Sequence, residues 1–230
     1  MIEFDSRAAA GAALAERLKS HSFRAKPVVL GLPRGGIPVA MPVAVMLHSP
    51  LLPFVVRKIG TPDNPELACG AIASGGAVVW NDDVCSRLGL SQATLDELEK
   101  QASYELQTRI NALGIHCAIE QQCRGKSAVL VDDGIATGAT MKVAVKALQA
   151  FHPREICVAV PVAPKSTCLS LSAIEGCSVV CLYEVDDESF GSVGSWYRDF
   201  EQVETEECRR MLEQYSTASE SRTSTSTAPL

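Results

Sequence analysis

The chain has 230 residues, 47% apolar and 21% charged, a balance typical of a soluble globular protein long enough to bury one generous core. Its formal net charge of -6 and isoelectric point near 5.3 remove the basic footprint that a dedicated nucleic-acid binder uses to neutralise phosphates. A small anionic ligand stays open, because it asks for only a few local cations.

An Ala-rich stretch over residues 5–19 predicts an opening helix. PVVLGL at 27–32 is short, branched and bounded by Pro27 and Pro33, which predicts a buried strand. The apolar run GGIPVAMPVAVML after it has helix length, and Pro38 and Pro42 must then fall in its first turn or kink it. LLPFVVRKI at 51–59 predicts a second strand and GTPDNPE a turn cluster; ACGAIASGGAVVWND at 68–82 predicts a hairpin turning at Ser74, Gly75 and Gly76. From Ser91 onward, Leu95, Leu98, Ala102, Leu106, Ile110 and Leu113 recur at three and four residues, so one long amphipathic helix capped by Ser91 is expected. SAVLVDD at 127–133 predicts a third core strand; helix 138–151, strand 155–162, helix 165–174 and strand 177–184 complete the alternation. Such alternation predicts an α/β fold with a parallel sheet and helical crossovers. One domain over 1–215 is expected, followed by a disordered Ser/Thr-rich tail at 216–230.

Nine cysteines are scattered, an odd number with no CxxC pair and no secretory leader, which points to a reducing cytoplasmic setting. His116, Cys117 and Cys123 sketch part of a zinc site, but a fourth ligand at a familiar spacing is missing, so ordinary thiols are the expectation and no metal site is assigned there. No apolar run reaches the length of a membrane span.

Chemistry concentrates at residues 129–140, VLVDDGIATGAT. In an open parallel sheet, ligands bind beyond the carboxyl ends of the strands, where a loop entering a helix presents free N–H groups. Gly138 lets the backbone approach a ligand, Thr137 and Thr140 offer hydroxyls, and the next helix adds its positive end, so the loop suits a phosphate monoester. Asp132 and Asp133 are acceptors only and suit a diol or a hydrated magnesium ion. A ligand with both groups is a ribose phosphate. A P-loop would need GxxxxGK[ST] and a dinucleotide site GxGxxG after the first strand; neither pattern is present.

VLVDDGIATGATM resembles the thirteen-residue phosphoribosyl pyrophosphate (PRPP) signature of type I phosphoribosyltransferases. GLPRGG at 31–36 resembles that family's pyrophosphate loop, and VRKIG at 56–60 the start of its flexible loop. The nearest likeness is to bacterial and archaeal phosphoribosyltransferase-domain proteins of unassigned substrate, which share the NPE phrase, here Asn64 to Glu66, and VGxWYxDF, here Val193 to Phe200. The resemblance implies a Rossmann-like parallel core with helices on both faces, a Gly-rich hairpin or flexible loop, and a small hood. It implies PRPP and a small nitrogenous base as partners, magnesium bound with the pyrophosphate, and a homodimer, since relatives are commonly dimers.

Transfer of the ribosyl group would gather negative charge on leaving pyrophosphate while an oxocarbenium-like centre forms, so the site must chiefly neutralise pyrophosphate. By resemblance Arg34, Lys58, Asp132 and Asp133 are the candidate catalytic residues, the two acids also meeting magnesium through water. Gly35, Gly36, Arg57, Gly134, Ala136, Thr137, Gly138, Ala139 and Thr140 are the candidate PRPP contacts, Gly35 and Gly36 through their N–H groups. The resemblance also implies an unusual peptide geometry at Arg34–Gly35. Bland readings stand beside these: Arg34 as the cap of a surface turn, Arg57 and Lys58 as solvated charges closing a strand. Glu66 reads as a loop carboxylate, and His21 and His152 as surface residues.

Ala136 stands where hypoxanthine-guanine relatives carry an acid, which argues against that proton transfer; the wording lies nearer the adenine type, so a purine is slightly favoured. Phe190, Trp196, Tyr197 and Phe200 read equally as packing for the last segment or as a base platform. A second class of function is a regulator or sensor that binds PRPP or a nucleotide without turnover. A third, a sugar-phosphate hydrolase, lacks an identifiable base or nucleophile.

Overall fold

Alternate residues of the core strands face opposite ways, and that decides the architecture. Val129 and Val131 belong to one apolar cluster, Ala128 and Leu130 to another, as in a strand buried on both faces. The computed structural model describes residues 2–114 and 118–225. His116 and Cys117 of the sketched zinc spacing lie outside the described residues.

Five parallel strands form the main sheet: β1 (Pro27–Gly31), β2 (Leu51–Pro53), β6 (Ser127–Val131), β7 (Glu155–Pro164) and β8 (Cys177–Val185), in the order β2-β1-β6-β7-β8. Helices α1 (Arg7–Leu18) and α2 (Gly36–Met46) cover one face through Leu14, Leu18, Ile37 and Val43. On the other face lie α6 (Ala139–Gln149) and α7 (Lys165–Ser172), through Met141, Val145, Leu148 and Leu171. Pro38 falls in the first turn of α2, and Pro42 is carried inside the helix.

The run 51–59 is not one strand. β2 ends at Pro53, and β3 (Val56–Thr61) begins a separate antiparallel sheet with β4 (Asn64–Ala73) and β5 (Val78–Trp80). Phe54 and Val55 join the two sheets: the Phe54 N–H bonds to Gly31 O and the Val55 N–H to the Ser74 hydroxyl, both at 2.9 Å. Both residues are buried, so the apolar run continues through the break and hides it. The NPE phrase opens β4 rather than a turn, and the β4–β5 hairpin turns at Gly75 and Gly76 with φ of 90° and 82°. Helix α4 (Gln92–Ala112), capped by Ser91 accepting from the Thr94 N–H, packs on β3 and β4.

Short helices α3 (Asp82–Arg87), α5 (Ile119–Cys123) and α8 (Asp187–Phe190), and a 3-10 turn at Val193–Trp196, fill the connections. The final helix α9 (Thr205–Thr225) runs through residues 216–225, where the Ser/Thr-rich composition predicts a disordered tail. Cys208, Leu212 and the Tyr215 ring pack this helix onto the core, and extending a nucleated helix costs far less than starting one. Among the described residues no helix is long and apolar enough to cross a membrane.

Candidate active site

Strand order reverses between β1 and β6, so the loops leaving their carboxyl ends part and open a crevice. The loop after β1 is drawn onto β6 by the Leu32 N–H bond to Val131 O at 2.9 Å. Gly36 continues that contact, since a Cβ there would lie 2.6 Å from Val131 O. Its N–H already bonds to Leu32 O at 2.9 Å and begins α2, so it does not reach out to an anion as the sequence suggests. A cis peptide joins Pro33 and Arg34, one bond before the Arg34–Gly35 position expected by resemblance.

A cleft of about 410 Å3 opens at this crevice. Arg34, Asp132 and Thr140 line its polar end together with Arg109 from the last turn of α4, and Leu32, Phe54, Val55 and Val56 make an apolar wall. Arg34 is exposed and lies 3.5 Å from Glu204, a surface pair too open to hold it rigidly.

The two acids differ in surroundings. Asp132 Oδ1 accepts from the Asp133 N–H at 2.9 Å. Burial, and then the Asp133 charge, push Asp132 well above the usual carboxylate range. Asp133 turns to α1, where its Oδ2 accepts from Arg7 Nε at 2.7 Å. Burial raises Asp133 as well, with Arg7 pulling against it. A Cβ on Gly35 would overlap Asp133 Oδ2, so this position has room for glycine only.

Behind the acids the loop is braced. Ile135 N–H bonds to Val162 O at 3.0 Å, Thr167 donates to Ala136 O at 2.8 Å, and Gly134 packs on Val193. Gly138 adopts a left-handed φ of 74° as the N-cap of α6, which a side chain would strain. Ala136, Thr137, Ala139 and Thr140 are exposed at the rim, where first-turn N–H groups lack partners within the helix. This arrangement sets exposed hydroxyls and first-turn N–H groups beside a carboxylate acceptor.

The phosphoribosyl transferase domain family model matches residues 70–181. A protein of Mycobacterium tuberculosis strain H37Rv, provisionally named a phosphoribosyl transferase, is 42% identical over 210 residues, covering 91% of this chain and 46% of that protein. The chain thus spans about half the length of the curated relative it matches. The crystal structure of TT1426 from Thermus thermophilus is 36% identical, with a TM-score of 0.76, and the match covers 93% of this chain and 99% of that one. The chain belongs to the type I phosphoribosyltransferase family.

Of the residues singled out by resemblance to these transferases, Arg34, Asp132 and Thr140 meet in one cleft; Gly35 and Gly36 pack against the acids and the end of β6, Gly134 and Gly138 against Val193 and Thr167, and Ala136, Thr137 and Ala139 are exposed on the same loop. Arg57 and Lys58 do not join them. Both line a separate groove of about 290 Å3 against α4, where Arg57 is ion-paired with Glu105. Burial, and then the Arg109 charge, lower the Arg57 pKa. Trp196, Tyr197 and Phe190 are buried with Phe4 in a cluster of their own, so the packing reading of the aromatic group holds in place of a base platform. Sequence reasoning missed Arg7 and Arg109. Each sits in a segment legible only as a helix, and no motif marks either one.

Proposed function

We propose that this chain is a magnesium-dependent phosphoribosyltransferase that moves the 5-phosphoribosyl group of PRPP to a nitrogenous base, a purine slightly favoured, and releases pyrophosphate. One observation carries it: Arg34 from the loop after β1 lines a single cleft with Asp132 from the loop after β6 and Thr140 at the start of α6, at the point where the sheet order reverses. The turn at the start of α6, where Ala139 and Thr140 are exposed beside Gly138, receives the 5-phosphate through N–H groups and hydroxyls. The acid pair carries the negative charge that eases positive charge on the ring, and Asp132, which lines the cleft, accepts from the ribose diol. Arg34 and Arg109 supply the cations against which pyrophosphate leaves, because charge on the leaving group grows most in the transition state. The apolar wall of Phe54, Val55 and Val56 takes the face of the base.

Among the described residues no cluster of three His, Cys, Asp or Glu side chains could cage a metal ion. The acid pair fits magnesium in the manner usual for that ion, through water and the substrate's own phosphates. When bound there it neutralises pyrophosphate. Cytoplasmic placement and a homodimer belong to the same proposal.

The second reading, a PRPP or nucleotide sensor without turnover, draws support from the withdrawal of Arg57 and Lys58 from the cleft. Pyrophosphate release from PRPP with magnesium, run across purine and pyrimidine bases and a no-base control, separates the two. Release that depends on one base is expected. Binding of PRPP without release on any base gives the sensor, and no binding at all removes the ribose-phosphate assignment.

A further inference from the structure

Neighbouring acids in a loop look interchangeable in sequence, but here their partners divide them. Arg7, in the first turn of α1, donates from Nε to Asp133 Oδ2 at 2.7 Å and from Nη1 to Glu201 O at 2.8 Å. Its guanidinium carbon lies 3.8 Å from the centre of the Phe200 ring. The Asp133 carbonyl accepts from the Tyr197 hydroxyl at 2.5 Å. The Arg7 and Asp133 side chains keep 12% and 15% exposure, so little water is at hand to replace either partner. Asp132 feels Arg7 only as a neighbouring charge, makes no ion pair among the described residues, and lines the cleft with Arg34 and Thr140.

Swinging the Asp133 carboxylate toward a sugar would leave a largely buried arginine without its counter-charge, which is strongly unfavourable. Gly35 lies against the same oxygen, so the loop carrying Arg34 is registered on the carboxylate that Arg7 holds. We infer that the acids share the work unequally: Arg7 is a positioning residue that commits Asp133 to anchoring the site, and Asp132 is the one carboxylate that contacts the ribose diol. The ligand half of this inference rests on the PRPP reading proposed above. The anchoring half stands on the protein alone.

The test is calorimetric titration of PRPP with magnesium, alongside thermal melts, on the wild type, Asp132→Asn, Asp133→Asn, Arg7→Gln and the double variant Arg7→Gln with Asp133→Asn. Asp132→Asn is expected to weaken PRPP at least about tenfold, with a melting temperature no lower than wild type. Asp133→Asn and Arg7→Gln should both melt lower and weaken PRPP by a common, smaller factor, and the double variant should be little worse than either, since the two side chains form one unit. Arg7→Ala should regain PRPP affinity when millimolar methylguanidinium is added, a recovery that general loosening of the fold would not give. That arm also decides the matter if Asp133→Asn does not fold. Asp133→Asn as damaging to PRPP binding as Asp132→Asn, with Arg7→Gln binding like wild type, would overturn the division of labour. Additive losses of melting temperature in the double variant would overturn the anchor. A wild type that melts with the expected coupling yet binds no PRPP would sink the PRPP reading and the ligand half together, leaving the anchor intact.

Discussion

Asp132 shows how a binding residue is kept at a cost to the fold. Burial and the adjacent Asp133 charge raise its pKa above the value of about 3.9 expected in the unfolded chain. A raised carboxylate binds its proton more tightly when folded, so its drag on stability is absent below about pH 4 and grows as pH rises through the folded value. Asp132→Asn removes that titration, while an amide oxygen can still accept from the Asp133 N–H. The variant should therefore melt higher than wild type at pH 7 to 8 and match it near pH 4, as a pH series of thermal melts would show; a lower melting temperature at neutral pH would contradict this. At Gly36 the sign reverses. A methyl group 2.6 Å from Val131 O must push two loops apart, and Gly36→Ala should cost about 1–3 kcal/mol in a denaturant titration and weaken pyrophosphate binding with it.

Helix α4 is the element whose role changes most between sequence and structure. Its periodicity and its Ser91 cap made the helix itself legible, because both signals are local. That its last turn brings Arg109 to the cleft was not legible, since this follows from how the antiparallel sheet swings away from β2 after Phe54. For the same reason Arg57 and Lys58 looked like cations at the end of a core strand and are instead on a strand of the second sheet. The signature loop's place between β6 and α6 was readable because its residues are contiguous, whereas Arg7 and Arg109 arrive by tertiary packing and have no neighbours in sequence that announce them. Arg109→Ala should accordingly weaken pyrophosphate binding by about tenfold, or roughly 1.4 kcal/mol, with a steeper loss at low salt, and Lys58→Ala should change it by less than about twofold. Calorimetry with pyrophosphate and magnesium checks both; equal losses would return Lys58 to the site.

At the scale of the whole molecule, the segment before α1 meets the segment before α9 behind the signature loop. The Glu3 and Phe4 N–H groups both bond to Trp196 O at 3.0 Å, and the Arg198 N–H returns to Phe4 O at 2.8 Å. Phe4 is 6% exposed and packs its ring 5.3 Å from Tyr197 and 5.6 Å from Tyr183, centre to centre. Tyr197 in turn holds the Asp133 carbonyl, so a residue four places from the start of the chain is two contacts from the acid pair. Truncating a buried phenylalanine typically costs about 3–5 kcal/mol, which in a domain of this size lowers melting by roughly 10 °C. Phe4→Ala should show that loss and, assayed well below its melting point, also a several-fold weaker PRPP titration, because the clasp that fixes Tyr197 is gone. If the melt falls but PRPP binds as tightly as to wild type, the clasp serves the fold alone and the loop is held well enough by Thr167 and Val162 from the sheet side.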